Sequence, residues 1–170
     1  LAEYVAKSCG KPVLNLIVTL PSDREIRMAR TFAAPRAIVY EALTKPEILM
    51  RWNYGPDEWK LAVCEVDLKV GGAFRYVWRN SAGVDMGLNG VFRELDPPNR
   101  IVHTELFDQD WTGGETVVTT LLDERDATTT LTMTILYSSA EARDAALKTP
   151  MDEGVAAGYE RLARLLVSMI

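Results

Sequence analysis

The sequence predicts one α+β domain in which an antiparallel β-sheet covers a long C-terminal helix. The first observation is an amphipathic stretch over residues 151–169, where apolar side chains recur at helical spacing and charged side chains fall mostly on the opposite side. The second is an alternation of apolar and polar residues that recurs from Trp59 to Tyr137, as is typical of strands. The apolar helix face must be buried, and the strands can cover it.

The N-terminal part of the chain predicts strand material followed by two short helices. A β-branched and apolar run over residues 11–19 and an alternating run over 25–32 flank a turn at Pro21. They indicate either a hairpin or one long strand bent at that proline. Helices are predicted to open at Pro35 and at Pro46, because proline is favoured at the first helical position.

The middle of the chain predicts strands joined by short turns, so that the whole sheet has about six or seven strands. In one of them, Phe74, Tyr76 and Trp78 alternate with other residues, and this aromatic face is expected to be the inner one. In the last strand threonines alternate with apolar residues, as on a sheet with one solvated face. The predicted strands cover residues 59–68, 73–80, 84–95, 100–107, 115–122 and 128–137.

Two features of the C-terminal region concern the helices. The run Ser138-Ser139-Ala140-Glu141 has a capping-box pattern, so one of the two serines is expected to cap a short helix that ends before Pro150. Gly154 and Gly158 lie inside the long helix, where each costs about 1 kcal/mol relative to alanine. Either a strand packs closely against the helix there, or the missing side chains leave room for a ligand.

Length, charge and composition exclude several classes of protein. A chain of 170 residues is long enough for one domain with a sizeable core, and we expect residues 13–170 to form it, with residues 1–12 as an N-terminal extension. A net charge of -5 without a basic stripe argues against nucleic acid as a partner. No apolar run is long enough to span a membrane. Cys9 and Cys64 form no metal-ligand spacing and no disulfide framework, so a cytoplasmic protein without metal or cofactor is expected.

His103 is the single histidine of the sequence, which excludes a two-histidine metal site and a histidine relay. On an alternating strand it shares a face with Glu105. Such a pair could bind the polar end of a ligand or transfer a proton. A hydrogen-bonded pair at the sheet surface or at the edge of a cavity is the simpler explanation.

The aromatic and methionine residues would suit an adaptable apolar pocket. Methionine fills irregular shapes, and tyrosine or tryptophan can add one hydrogen bond. The same residues could equally fill a core. The candidate cavity residues are Trp52, Trp59, Phe74, Tyr76, Trp78, Met86, Phe92, His103, Met133, Met151, Val155, Gly158 and Tyr159.

Several sequence phrases, spread over nearly the whole chain after Val13, occur in the order of a known family. They include TFAAPRAIVYEALTKPEIL at 31–49, CEVDLKVGGAFRYVWR at 64–79 and GVFRELDPPNRIVHTELF at 90–107. Together they resemble the Hsp90-ATPase-activator-like family of the START/Bet v 1 superfamily, the helix-grip proteins. The resemblance implies a curved antiparallel sheet that grips the C-terminal helix, with a cavity between them that holds hydrophobic or amphipathic molecules in relatives. The family's usual tryptophan pair is replaced here by Trp52-Asn53-Tyr54, so the mouth of the pocket is expected to differ.

The leading functional hypothesis is a binding module for a small hydrophobic or amphipathic molecule, held between the sheet and the C-terminal helix. One alternative is a polyketide-cyclase-like enzyme, in which Tyr76, Tyr159, His103 or Glu105 would assist proton transfer. Another is a co-chaperone or stress-response interaction domain, which would need an exposed apolar patch. A homodimer is compatible with each hypothesis.

Overall fold

The computed structural model describes residues 3–4, 16–55 and 59–170, and it has the predicted α+β architecture. The strands in these residues are β1 (Glu3–Tyr4), β2 (Ile17–Thr19), β3 (Glu25–Phe32), β4 (Lys60–Val66), β5 (Ala73–Arg79), β6 (Asp85–Asp96), β7 (Arg100–Phe107), β8 (Thr116–Arg125) and β9 (Thr128–Leu136). They form one antiparallel sheet in the order β1-β2-β3-β9-β8-β7-β6-β5-β4. Strands β4 to β9 are therefore neighbours in chain order, and β9 pairs on its other side with β3.

The sheet has more strands than the six or seven expected, because two short strands extend one edge. β2 pairs antiparallel with β3, with Ile17 opposite Ala29, so the hairpin is correct and the single bent strand is not. β1 pairs with β2 in turn, with Tyr4 opposite Val18. The start of the strand predicted from residue 11, the boundary after residue 12 and Cys9 lie outside the described residues.

The described residues also contain two pairs of helices. α1 (Arg36–Thr44) and α2 (Pro46–Trp52) follow β3, whereas α3 (Ala140–Ala146) and α4 (Met151–Val167) follow β9. Pro46 occupies the first turn of α2 as predicted, but Pro35 is the N-cap of α1, one position earlier than expected. None of the helices in the described ranges is long and apolar enough to cross a bilayer.

Helix α4 packs its apolar face against the concave side of the sheet. Leu162 is fully buried and Leu166 nearly so, as the helical spacing predicted. On β3, Ile26, Met28 and Phe32 point to the same side and are also buried. Complete burial of one such side chain contributes about 1.5–3 kcal/mol, so this layer is the main source of stability.

A cap at the start of α3 gives a first test of the fold. The backbone N–H of Ala142 donates to the hydroxyl oxygen of Ser139 at 3.1 Å, whereas the Ser138 hydroxyl donates to the carbonyl of Gly113 at 2.6 Å. Ser139→Ala is therefore expected to lower the free energy of unfolding by about 1 kcal/mol, measured by urea titration. Ser139→Asp should keep most of the stability, and equal stability of the alanine variant would contradict the assignment of the cap.

Candidate functional site

A cavity of about 380 Å³ lies between the concave face of the sheet and helix α4. Strands β5 to β9 form one wall, the N-terminal half of α4 forms the opposite wall, and α2 with the residues after it contributes a third side. Most of the lining side chains are aliphatic or aromatic. The volume falls within the range of about 300–1,000 Å³ that is common for small-molecule sites.

Twelve of the thirteen candidate residues line this cavity: Trp52, Phe74, Tyr76, Trp78, Met86, Phe92, His103, Met133, Met151, Val155, Gly158 and Tyr159. Trp59 is the exception and is not part of the lining. Trp59 precedes β4, the strand at the edge of the sheet. Helix α2 packs against β4, and on this side of the cavity the lining residues come from α2. Trp59 is instead packed beside Gly55, since a Cβ added to that glycine would lie 2.8 Å from the Trp59 Cβ.

Two tryptophans form a wall whose polar atoms are already bonded to the backbone. The indole N–H of Trp52 donates to the carbonyl of Ala42, and that of Trp78 donates to the carbonyl of Asn53, each at 2.9 Å. Because both donors are satisfied, the rings present apolar surface to the cavity. The Trp52 ring also packs against Tyr159 of α4, with ring centroids 6.2 Å apart.

The two glycines of α4 both lie at the cavity. A Cβ added to Gly154 would have no heavy atom within 4 Å, and one added to Gly158 would meet only ordinary contacts at 3.8 Å or more, from Trp52 and Arg161. Close packing of a strand against the helix is therefore the wrong explanation for these glycines. Their missing side chains instead leave space beside the cavity.

A single polar pair interrupts the apolar lining on β7. The Nε2 atom of His103 lies 3.0 Å from a carboxylate oxygen of Glu105, and both residues line the cavity. The side chain of His103 is 16% exposed and that of Glu105 is 24% exposed. The imidazole meets Phe74 edge to face at 5.2 Å between ring centroids. The pair therefore belongs to the cavity wall, and its carboxylate is within reach of a bound molecule.

Among the described residues, the hydroxyl groups of two buried tyrosines have only sulfur as a partner. The Tyr137 hydroxyl lies 3.5 Å from the Met151 sulfur, and the Tyr159 hydroxyl lies 3.8 Å from the Met133 sulfur. A thioether is a weak acceptor, so both hydroxyls retain the capacity to bond a ligand. Burial, and to a lesser extent the charge of Glu105, raises the pKa of both tyrosines well above the ordinary range, so the hydroxyls stay protonated.

Arg161 holds the segment that follows α2 against α4. Its guanidinium donates to the carbonyl of Trp52 at 3.0 Å and to the carbonyl of Tyr54, and it lies 3.9 Å above the centre of the Tyr54 ring. Asn53, Tyr54 and Gly55 all line the cavity. The altered sequence after Trp52 thus forms part of the cavity wall. Arg161, a charged residue of α4, holds this segment in position.

Several lining residues were not among the sequence candidates. Some had a signal: Leu131 and Ile135 lie two positions on either side of Met133, and Ile101 and Glu105 flank His103 in the same way. Phe107 and Tyr137 continue the same two alternations, and Asn53 and Tyr54 stand where the family's tryptophan pair is altered. Gly55, Trp111 and Thr112 had no such signal, because they lie in loops where alternation does not apply.

Comparison with known proteins agrees with the fold and extends over most of the chain. A protein of Rhodobacter sphaeroides is 32% identical, with a TM-score of 0.86 over 91% of this chain and 99% of its own. The AHSA1 protein of Silicibacter pomeroyi shares 20% identity and a TM-score of 0.66 over 86% of this chain and 99% of its own, which shows a common fold. No curated protein matches the sequence significantly.

The family itself is identified by a match to the description "Activator of Hsp90 ATPase homolog 1-like protein" over residues 33–167. That range runs from the last residues before α1 to the last residue of α4, and it includes all the residues that line the cavity. The protein belongs to the Activator of Hsp90 ATPase homolog 1-like family.

Proposed function

We propose that the protein binds a small hydrophobic or amphipathic molecule in the cavity between the sheet and α4. The observation that carries this proposal is the cavity itself, about 380 Å³ in volume and lined mainly by apolar side chains. Protein interiors are normally packed to the density of organic crystals, and a space of this size forfeits many van der Waals contacts. A ligand of matching shape restores those contacts.

The helical glycines support the same proposal. Alanine at position 154 would favour the helix by about 1 kcal/mol and would meet no neighbour, so stability alone does not explain a glycine there. The two tyrosine hydroxyls and the His103–Glu105 pair add a few polar groups to a mostly apolar wall. This combination suits a ligand that is mainly apolar and carries a polar end.

The proposal is tested first with native mass spectrometry of the purified protein, which detects a co-purified molecule. Binding is then measured with N-phenyl-1-naphthylamine, an uncharged dye whose fluorescence rises in apolar surroundings. A ligand present at 100 times its dissociation constant stabilises the native state by about 2.7 kcal/mol, so thermal unfolding gives an independent readout. No co-purified mass, no fluorescence change and no thermal shift across varied apolar ligands would overturn the proposal.

Substitution at Gly154 tests whether the dye binds in the cavity or at another surface. Both Gly154→Ala and Gly154→Leu are expected to raise the free energy of unfolding by up to about 1 kcal/mol, because both improve helix propensity. Gly154→Leu should also weaken binding of the dye at least tenfold, since its side chain enters the cavity, whereas Gly154→Ala should change the affinity little. Glu153→Leu places a leucine at the adjacent, exposed position of α4, outside the cavity lining, and is the control. Equal dye affinity in Gly154→Leu would place the dye elsewhere.

A further inference from the structure

We propose that the cavity selects hydrophobic amines in their positively charged form and discriminates against carboxylates. This inference rests on the proposed function, because it concerns the charge of the molecule that occupies the same cavity. It is argued from the only carboxylate among the described lining residues, from the histidine beside it and from the aromatic rings that pack against that histidine.

Glu105 carries the formal charge of the cavity. Among the described lining residues there is no lysine, no arginine and no second carboxylate. The hydrogen bond from His103 is the single one that the Glu105 carboxylate receives within the described part of the chain. Glu105 therefore keeps the capacity to accept a hydrogen bond from a ligand.

The histidine offers Glu105 a single hydrogen bond, through Nε2. A positively charged imidazole would carry a proton on Nδ1 as well as on Nε2, and each N–H would need an acceptor. Nδ1 of His103 is buried and has no hydrogen-bond partner among the described residues. An unpaired buried donor is unfavourable, so this arrangement favours the tautomer whose proton lies on Nε2 and is donated to Glu105.

Two arginines lie near the cavity, but neither is among its described lining residues. Arg30 is paired with Glu160 at 2.8 Å, on the α4 side of the sheet. Arg161 donates to the carbonyl groups of Trp52 and Tyr54 and does not line the cavity. A bound carboxylate would therefore meet the charge of Glu105 without a compensating cation in the cavity wall.

The surroundings of Glu105 suit a cation. Phe74 packs against His103 and against Tyr76, whose ring centroid lies 4.9 Å away. Burial is the main cause of the raised pKa of Tyr76, Tyr137 and Tyr159, and the charge of Glu105 adds to it at each tyrosine, whereas the charge of Arg30 opposes it at Tyr159. An ammonium group near aromatic rings and a carboxylate gains both cation–π attraction and a charge-assisted hydrogen bond. The apolar remainder of the ligand would occupy the rest of the cavity.

Three naphthalenes that differ only in their polar group test the inference by displacement of N-phenyl-1-naphthylamine at pH 7.5. They are 2-(aminomethyl)naphthalene, 2-naphthalenemethanol and 2-naphthoate. We expect the amine to bind at least tenfold more tightly than the alcohol, and 2-naphthoate to bind at least tenfold more weakly than the alcohol. Equal affinities, or tighter binding of 2-naphthoate, would overturn the inference while leaving the proposed function intact. Absence of dye binding would overturn both.

Glu105→Gln identifies the residue responsible, since it removes the charge and keeps the shape. In this variant the affinity for the amine should fall at least tenfold, and the affinity for 2-naphthoate should rise towards that for the alcohol. The affinity for the alcohol itself should change by less than about threefold. Retained binding of the alcohol also reports that the variant is folded. Glu115→Gln, at an exposed position outside the lining, is the matched control and should behave as the wild type. An unchanged amine preference in Glu105→Gln would overturn the role of Glu105.

Discussion

Trp52→Ala is expected to lower the free energy of unfolding by about 3–5 kcal/mol, the usual cost of removing a large buried aromatic side chain. Trp52 is the last residue of α2 and is only 6% exposed. Its ring contacts α4 through Tyr159 and lies 3.8 Å from the Cβ position of Gly158. The substitution would therefore remove the main aromatic contact between α2 and α4 and enlarge the cavity at the same place.

Trp52→Phe separates the packing of the ring from its hydrogen bond. Phenylalanine keeps an aromatic ring against Tyr159 but leaves the buried carbonyl of Ala42 without the indole donor. The expected loss is about 1–3 kcal/mol, smaller than for alanine. Both variants are compared with wild type by urea unfolding followed by circular dichroism. Trp111→Ala, in a partly exposed loop, should cost less than Trp52→Ala, and a larger loss at Trp111 would contradict the role given to Trp52.

Glu160→Ala is expected to destabilise the protein by about 2–3 kcal/mol, because it leaves the charge of Arg30 buried without its partner. Arg30 lies on the inner face of β3 and is 5% exposed, and its Nε and Nη1 atoms have no hydrogen-bond partner among the described residues. Loss of one partner of a buried pair costs about 3–5 kcal/mol. We expect a loss of about 2–3 kcal/mol, below that usual cost, because the Glu160 side chain is 41% exposed and its charge is screened by water.

Arg30→Met should behave differently from Glu160→Ala. Removing the buried charge leaves Glu160 partly in water, so the free energy of unfolding should stay within about 1 kcal/mol of wild type or rise. Both variants are compared at neutral pH by urea unfolding. If the unpaired charge of Arg30 causes the destabilisation, Glu160→Ala should lose stability and Arg30→Met should not. Equal losses in both variants would indicate that packing alone is involved.

The pH dependence of the same comparison provides a second measurement. The hydrogen bond from Arg30 lowers the pKa of Glu160 below its ordinary value of 4.5, against the opposing effect of burial. The stabilisation is therefore fully present above pH 4.5 and is lost as the pH falls through the lower value in the folded protein. The difference between wild type and Glu160→Ala should be largest at neutral pH and should shrink under acidic conditions.

Much of the fold and of the site could be predicted because side-chain direction depends on local periodicity. Phe74 and Met133 were assigned to the apolar faces of their strands by alternation, and both line the cavity. The buried face of α4 followed from helical spacing in the same way. Loop residues such as Trp111 have no such period, which is why they were missed.

Other features depend on contacts between distant parts of the chain. Arg30 and Glu160 are 130 residues apart, and Arg161 lies 109 residues from the carbonyl of Trp52 that it binds. No local pattern indicates such partners. The position of Trp59 likewise depended on how the edge strand β4 packs against α2.

The amino-acid sequence by itself determined the α+β class, the order of strands and helices, and the apolar face of each, because these follow from local preference and from side-chain period. Only the tertiary structure decided that the apolar faces of the sheet and α4 enclose a cavity of about 380 Å³. It also decided that Glu105 contributes a carboxylate to the cavity wall beside a partly buried histidine. The volume and charge of that space depend on the distance between elements that are far apart in the chain, which no local pattern specifies.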